Sequence, residues 1–508
     1  MVINNEQTRQ TLTNDIWRAC DILRRDNNCG GVMEYIEHLA WLLFLRFLDA
    51  QEEVWETETS LTGKAYIRIL DGDLRWSVWA RKDWPADDLI QFVHTQLLPT
   101  LQGMYGDPFR ESIAAIFSER TVIVAASGYN LKDVLKIVDS IDFLSQDDIH
   151  TVSHVYESLL QRLGNENKVA GEFYTPRPVI RFMVHLVSPQ LSETIYDPAA
   201  GSGGFLAETF EYLRTQNPGL SIEENEKLQT QTFFGREKKA VPYLLGMMNV
   251  VLHGVWRPNF RRGNTLEEPV KSAPAERFDL VLTNPPFGGT ENQQIQENFP
   301  VPVNATELLF LQHIMKKLKP RAGARCGMVM PEGVLFRGGA FTTVKKDLLE
   351  QFNLHTIVSL PPGAFAPYAD VKTALLFFER PGPTSAIWYY ELPLPAGLKK
   401  FSKGSPIVDE HFDEAWQLSQ TWNAQRKNIP ANISGEGIEK YYGAPNAWIT
   451  SIEEIKSRDY DLTARNPYGS TNEELLNPTV LTSRLLERIR ELHDIVENLH
   501  DTITNNEV

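Results

Sequence analysis

The sequence has little with which to build a disulfide or zinc framework. Its only three cysteines, Cys20, Cys29 and Cys326, are far apart and odd in number, which suits reduced thiols in a cytoplasmic protein. Long hydrophobic runs are missing too. The apolar run Leu39 to Leu45 near the N-terminus is broken by Arg46 and falls far short of a membrane span. Residues 1–10, MVINNEQTRQ, show no basic segment leading into an apolar one, so neither a signal peptide nor membrane association is expected. Nor is there an excess of positive charge: 50 Lys and Arg face 66 Asp and Glu, a net charge of −16. A chain that gripped nucleic acid unaided would more often be basic. Nucleic acid is therefore not the substrate, or the basic surface is local, or another chain supplies it. What remains is an ordinary globular composition, 42% apolar and 23% charged over 508 residues, long enough for about two to four domains.

Residues 1–160 read as a helical N-terminal domain. Leu12, Ile16, Cys20 and Leu23 recur at helical spacing, as do Ile36, Leu39, Leu43 and Phe47, and the turn signal Asn27-Asn28-Cys29-Gly30-Gly31 separates the two sets. From about residue 190 short β-rich runs alternate with helical ones. The runs are Glu193–Asp197, Thr232–Glu237, Phe278–Thr283, Cys326–Pro331, Thr356–Leu360 and Thr373–Glu379; the helical stretches include Gly204–Gln216, Tyr243–Leu252, Thr306–Leu318 and Thr342–Phe352. This alternation predicts an α/β catalytic domain over 161–383 with a doubly wound, mostly parallel sheet. Pro361 to Tyr368 leaves no room for a crossover helix, so the last two strands should form an antiparallel hairpin at one sheet edge. Residues 384–470 form a mixed extension with strand-like pieces such as Ile387–Leu392. In 471–508 a final helix starts near Pro478. Its Leu485, Ile489, Leu492, Val496 and Leu499 step 4-3-4-3, a seam of about two heptads that suits docking on its own domain as well as on a partner helix.

The stretch Tyr196-Asp197-Pro198-Ala199-Ala200-Gly201-Ser202-Gly203-Gly204-Phe205-Leu206 follows an apolar strand and opens a helix, where open α/β sheets bind ligands. Its glycines allow a tight turn and close approach of backbone to ligand. It is not a dinucleotide fingerprint, because Leu206 stands where a third glycine is needed. Asp197 at a strand end suits a ligand carrying ammonium or hydroxyl donors. Glu237 ends the next strand forty residues on and can accept from both ribose hydroxyls of an adenosine. Upstream, Gly171-Glu172-Phe173-Tyr174-Thr175-Pro176-Arg177 precedes a helix over Pro178–Val187. Thr175 fits its N-cap and Pro176 its first turn, and the helix N-terminus could hold a carboxylate.

A second signal is Phe278-Asp279-Leu280-Val281-Leu282-Thr283-Asn284-Pro285-Pro286-Phe287, a buried-strand pattern ending abruptly in Asn-Pro-Pro-Phe. The exocyclic amine of adenine is a poor nucleophile because its lone pair is delocalised into the ring. Two acceptors, the Asn284 side-chain oxygen and the Pro285 carbonyl, would localise that lone pair. The prolines stiffen the backbone and remove competing donors, and Phe287 offers a face for an extruded base. His185, His253, His313 and His355 sit singly without ligand spacing and read as structural, as does Cys326; no metal is expected.

FYTP, DPAAGSGGF, an acid after the second strand and NPPF, in that order, resemble amino-directed, S-adenosylmethionine-dependent DNA methyltransferases. The helical leader, the Gly171–Arg177 stretch and the C-terminal helix more closely resemble the modification subunit of type I restriction–modification systems. The resemblance covers most of the chain and is weakest over 384–470. It implies the class I methyltransferase fold and site-specific N6-adenine DNA methylation. It implies S-adenosylmethionine held by Glu172, Phe173, Tyr174, Thr175, Pro176 and Arg177, by Asp197, Ala199, Gly201, Ser202, Gly203 and Gly204, and by Glu237. Asn284, Pro285, Pro286 and Phe287 would form the amine and base pocket. At Asn264 the chain departs from the family pattern, which often has Asp there, but an amide can still bond adenine. The implied partners are double-stranded DNA, a specificity subunit that reads the target for two modification subunits and docks on the C-terminal seam, and a restriction subunit. Local patches, Arg257, Arg261 and Arg262 or Lys316, Lys317, Lys319 and Arg321, would then touch DNA, although each also fits a solvated face. The alternatives are a self-sufficient adenine methyltransferase, a protein-glutamine methyltransferase and an inactive assembly scaffold.

Overall fold

The computed structural model describes residues 2–468 apart from 62, 64, 107, 118–123, 167–173, 256, 272, 273, 275, 367, 368, 370 and 427–444. The chain divides into two units, Met1–Ala464 and Arg465–Val508. In the second, residues 465–468 are described, and the Tyr468 amide donates to Asn466 Oδ1 at 2.8 Å. The seam from Leu485 to Leu499 lies outside the described residues. Among the described residues no helix is long and apolar enough to cross a membrane.

The first unit is built on a nine-stranded sheet. In chain order the strands are β1 (Ile195–Asp197), β2 (Phe233–Glu237), β3 (Asn259–Arg262), β4 (Leu280–Thr283), β5 (Arg325–Pro331), β6 (Asn353–Leu360), β7 (Thr373–Glu379), β8 (Ala386–Glu391) and β9 (Ala447–Ser451). Their spatial order is β3-β2-β1-β4-β5-β7-β6-β8-β9. The five strands from β3 to β5 are parallel, as the strand–helix alternation requires, since each return passes through a connection long enough to cross over. β7 inserts antiparallel between β5 and β6. The expected antiparallel pairing of β6 with β7 is therefore present, but it lies inside the sheet. β6 is buried from Leu354 through Leu360, and such a strand needs a neighbour along its other edge as well. β8 supplies it in parallel and β9 closes the sheet antiparallel to β8, so part of 384–470 completes the same sheet.

The helical N-terminal region folds as its periodicity indicates. The helix Val2–Arg24 buries Leu12, Ile16, Cys20 and Leu23, and the helix Val32–Leu61 buries Ile36, Leu39, Leu43 and Phe47. Its core does not stop at the sheet domain. The helix Ala240–Leu252 is buried along its whole length from Pro242 to Leu252, as befits a helix that is apolar all round. Its Tyr243, Leu244, Met247 and Met248 pack into the same core as the N-terminal helices, while Val250 faces the core beneath the sheet.

The strand that ends in Asn284 is anchored at its start by Asp279. This carboxylate is buried and accepts from the Thr194 amide and hydroxyl, both at 2.9 Å, from Lys319 Nζ at 2.6 Å and from Arg321 Nε at 2.9 Å. Burial pushes its pKa up, but these donors more than offset it and hold the carboxyl down from 3.8 to about 2. Lys319 and Arg321 are thereby tied to this anchor, and Lys317 is buried in an ion pair with Glu268 at 2.6 Å. Of the second basic patch of the sequence, Lys317 is thus internal, while Lys319 is half-buried and Arg321 is exposed beside the anchor. A depressed carboxyl pKa contributes stability that is present above the unfolded value and lost as pH falls through the folded one. Asp279→Asn should therefore lower unfolding free energy at pH 7 by about 1–3 kcal/mol. In denaturant titrations the gap from wild type should narrow once pH drops below 3.8.

Candidate active site

The C-terminal ends of β1, β2 and β4 converge on a cavity of about 330 Å³. Among the residues lining it are Thr175, Asp197, Ala199, Gly201, Ser202, Gly204, Glu237, Asn264, Asn284 and Pro286. Stretches separated by more than a hundred residues in sequence are thus brought to one place. Tyr174, Pro176, Arg177, Gly203, Pro285 and Phe287 stand behind or beside this lining, and Glu172 and Phe173 lie outside the described residues.

Asp197 is buried, and its Oδ1 accepts from the Ala199 amide at 3.1 Å and from Thr283 Oγ1 at 2.7 Å. Burial, aided by the nearby negative charge of Glu237, pushes its pKa up to about 7. Glu237 accepts from the Gly201 amide at 3.0 Å and the Lys239 amide at 2.8 Å, and burial raises its pKa as well. A carboxylate has about four lone-pair sites, so each of these keeps acceptor capacity toward the cavity. Gly203 connects them through a turn that only glycine fits. Its φ is +72°, and a Cβ there would stand 2.8 Å from the Gly246 carbonyl oxygen. Asn249 Nδ2 donates to the Ser202 carbonyl at 2.8 Å and fixes the turn from behind.

Two carboxamides complete the lining. Asn264 caps the short turn Thr265–Glu267, its Oδ1 accepting from the Leu266 amide at 3.1 Å, while its Nδ2 is buried with no hydrogen-bond partner among the described residues. Asn284 has the opposite polarity. Its Nδ2 donates to Thr175 Oγ1 at 3.0 Å, and its Oδ1 is the buried atom without a partner among the described residues. Among the described residues, one donor and one acceptor without partners thus border the same cavity, where buried polar groups are ordinarily paired. An adenine ring offers nitrogens that accept, and its amine offers hydrogens that donate; the residues fit both an adenosyl group and a target base.

Thr175 is not the helix cap that the sequence indicates. The helix runs Arg177–Val187 with Pro176, which has no polar side chain, at its N-cap position and no side-chain cap bond; the Thr175 hydroxyl one residue earlier instead accepts from Asn284 Nδ2. Arg177 also turns away from the cavity. It pairs with Glu157 through Nε at 2.6 Å and through Nη2, and Nη1 donates to the Gly204 carbonyl at 2.9 Å. Phe287 is half-buried and meets Phe365 edge to face at 6.0 Å. Sequence reasoning missed Thr306 and Phe310, which reach the cavity from the helix Thr306–Lys317; their helical spacing carries no sign of a ligand. Among the described residues no group of three or more His, Cys, Asp or Glu could hold a metal ion.

Comparison with known proteins identifies the family of the chain. Residues 147–475 match the family described as N-6 DNA Methylase, and residues 12–138 match the HsdM N-terminal domain. The chain is 36% identical to the type I restriction enzyme EcoEI methylase subunit of Escherichia coli, over 95% of this chain and 96% of that one. It is 32% identical to the EcoKI methylase subunit of E. coli strain K12, over 88% and 82% respectively. A solved chain from a study of complex assembly and conformational transition in the type I R-M system is 62% identical, with a TM-score of 0.83 and coverage of 98% and 99%. A type I methyltransferase subunit from Streptococcus thermophilus, 21% identical with a TM-score of 0.65 over 91% and 99%, shares the fold. With two family models and relatives matched over nearly its whole length, the chain belongs to the N-6 DNA methylase family, as an adenine-methylating modification subunit of the type I restriction–modification kind.

Proposed function

We propose that the cavity at the ends of β1, β2 and β4 holds S-adenosylmethionine and, beside it, an adenine flipped out of duplex DNA. The observation that carries this reading is the Asn284 carboxamide, whose buried Oδ1 has no partner among the described residues although its Nδ2 is tied down. S-adenosylmethionine supplies an electrophilic methyl group on a sulfonium centre. Asn284 Oδ1 and the Pro285 carbonyl accept the two N–H groups of the adenine amine and localise its lone pair, and Phe287 stacks on the base. Positioning and these fixed dipoles account for the rate gain. Asp197 has both of its internal donors on Oδ1, which leaves Oδ2 for a donor of the cofactor. Glu237 accepts from the ribose hydroxyls, and Asn264 Nδ2 donates to a ring nitrogen. Ala199, Gly201, Ser202 and Gly204 bring backbone close to the ligand. Glu172 and Phe173 retain the cofactor contact that the family resemblance implies. Tyr174, Pro176, Arg177 and Gly203 support the walls.

With a net charge of −16, the chain needs a partner to hold DNA. A specificity subunit serving two modification subunits fills that role, and a restriction subunit joins for cleavage. The test is transfer of labelled methyl to duplex DNA by the chain alone and with its specificity subunit. Activity should require the partner, and Asn284→Ala should lower the rate about 100-fold or more. A wild-type rate in that variant overturns the reading.

Asp197 separates function from stability. Because its folded pKa is about 7, the folded state holds a proton that the unfolded chain has lost, and stability falls as pH rises from about 4 toward 7. Asp197→Asn keeps an acceptor for Thr283 and Ala199 and removes the buried charge. It should melt about 2 °C or more above wild type at pH 8, match it near pH 4, and bind S-adenosylmethionine about tenfold or more weakly. Melting curves and titration calorimetry check all three.

A further inference from the structure

We infer that Thr175 is a positioning residue for methyl transfer, satisfying the far end of the Asn284 carboxamide while its near end engages the substrate amine, and that Glu157 holds Thr175 in place. The inference rests on the reading of Asn284 as amine acceptor. A carboxamide has two ends of similar size and opposite polarity. When Oδ1 faces the amine, Nδ2 points away from it and needs an acceptor of its own, and Thr175 Oγ1 at 3.0 Å supplies it. Turned the other way, Nδ2 would meet the N–H groups of the amine donor to donor. The amine therefore selects one orientation, and Thr175 makes that orientation free of unpaired polar atoms.

Thr175 has no helical hydrogen bond of its own to keep it there, since it precedes the Arg177–Val187 helix. Tyr174 just before it and Arg177 two residues after it are held instead by one carboxylate. Tyr174 Oη donates to Glu157 Oε1 at 3.4 Å, and Arg177 donates to both Glu157 oxygens. Burial would push Glu157 up, but the adjacent Arg177 more than offsets this and holds it below the usual carboxylate range. The pair thus stays ionised and tight. Glu157 belongs to the Gln146–Glu166 helix, so the residue that orients Asn284 is fixed from a helix outside the sheet.

The test uses the assembled complex with its specificity subunit, measuring methyl transfer at saturating S-adenosylmethionine and, separately, the Kd for S-adenosylmethionine. Thr175→Val should slow transfer about three- to tenfold with Kd within about twofold of wild type, and Thr175→Ser should restore the rate. Glu157→Gln, which keeps the shape and loses the charge, should slow transfer in the same sense. A wild-type transfer rate in Thr175→Val, or a raised Kd with an unchanged saturated rate, would make Thr175 a plain cofactor contact and overturn the inference. If Asn284→Ala itself transfers at the wild-type rate, the fault lies in the amine-acceptor reading instead.

Discussion

The glycine turn after β1 lies against the helix Ala240–Leu252 with no space between them. A Cβ on Gly246 would stand 2.5 Å from the Gly201 carbonyl oxygen, just as one on Gly203 would meet Gly246. That mutual approach sets the depth of the cavity floor, and it ties the floor to whatever holds the helix. What holds the helix is the N-terminal core, into which its other face packs. The linkage continues in polar contacts: Asn249 grips the Ser202 carbonyl, His253 Nδ1 lies 2.7 Å from the Asn249 carbonyl, and Ser153 Oγ approaches His253 Nε2 at 3.4 Å. The helical leader thus forms the back wall of the active site rather than an appendage to it.

Buried carboxylates show how the same chemical group is put to opposite uses. Asp279 and Glu157 are surrounded by cations and N–H donors, and both lie below their ordinary pKa; they are anchors. Asp197 and Glu237 have only neutral donors for hydrogen-bond partners and lie above it. An under-compensated buried charge costs stability, and on the proposed reading these two adjacent strand ends are where the cofactor completes the pairing. Stability is set aside at the cavity and recovered at the anchors around it.

Much of this was legible in the sequence because it depends on local pattern. The helices and the parallel strands follow from apolar periodicity, and Asp197, Glu237 and Asn284 are each found at the end of a recognisable strand. What escaped was non-local. β3 reads Asn-Phe-Arg-Arg, a short polar strand paired on one side by β2, too little alternation to register. β9 joins the sheet from more than fifty residues beyond β8. Thr175 and Pro176 carry the local signature of a helix start, yet the threonine is claimed by Asn284, 109 residues downstream. Arg177 likewise reads as a ligand-facing cation and is instead drawn to Glu157 on a neighbouring helix. A motif names the residues that gather at a site; which of them face the ligand is decided by tertiary partners that the motif does not contain.

On the proposed reading one cavity has two chemically separate halves, a cofactor half at Glu237 and an amine half at Asn284. Equilibrium binding of S-adenosylmethionine to the two single alanine variants tests it most directly. Glu237→Ala should weaken binding about tenfold or more, through loss of charge-assisted hydrogen bonds, while Asn284→Ala should bind within about twofold of wild type. Equal losses in both variants, or full affinity in Glu237→Ala, would contradict the division of the cavity and with it the account of how this chain methylates adenine.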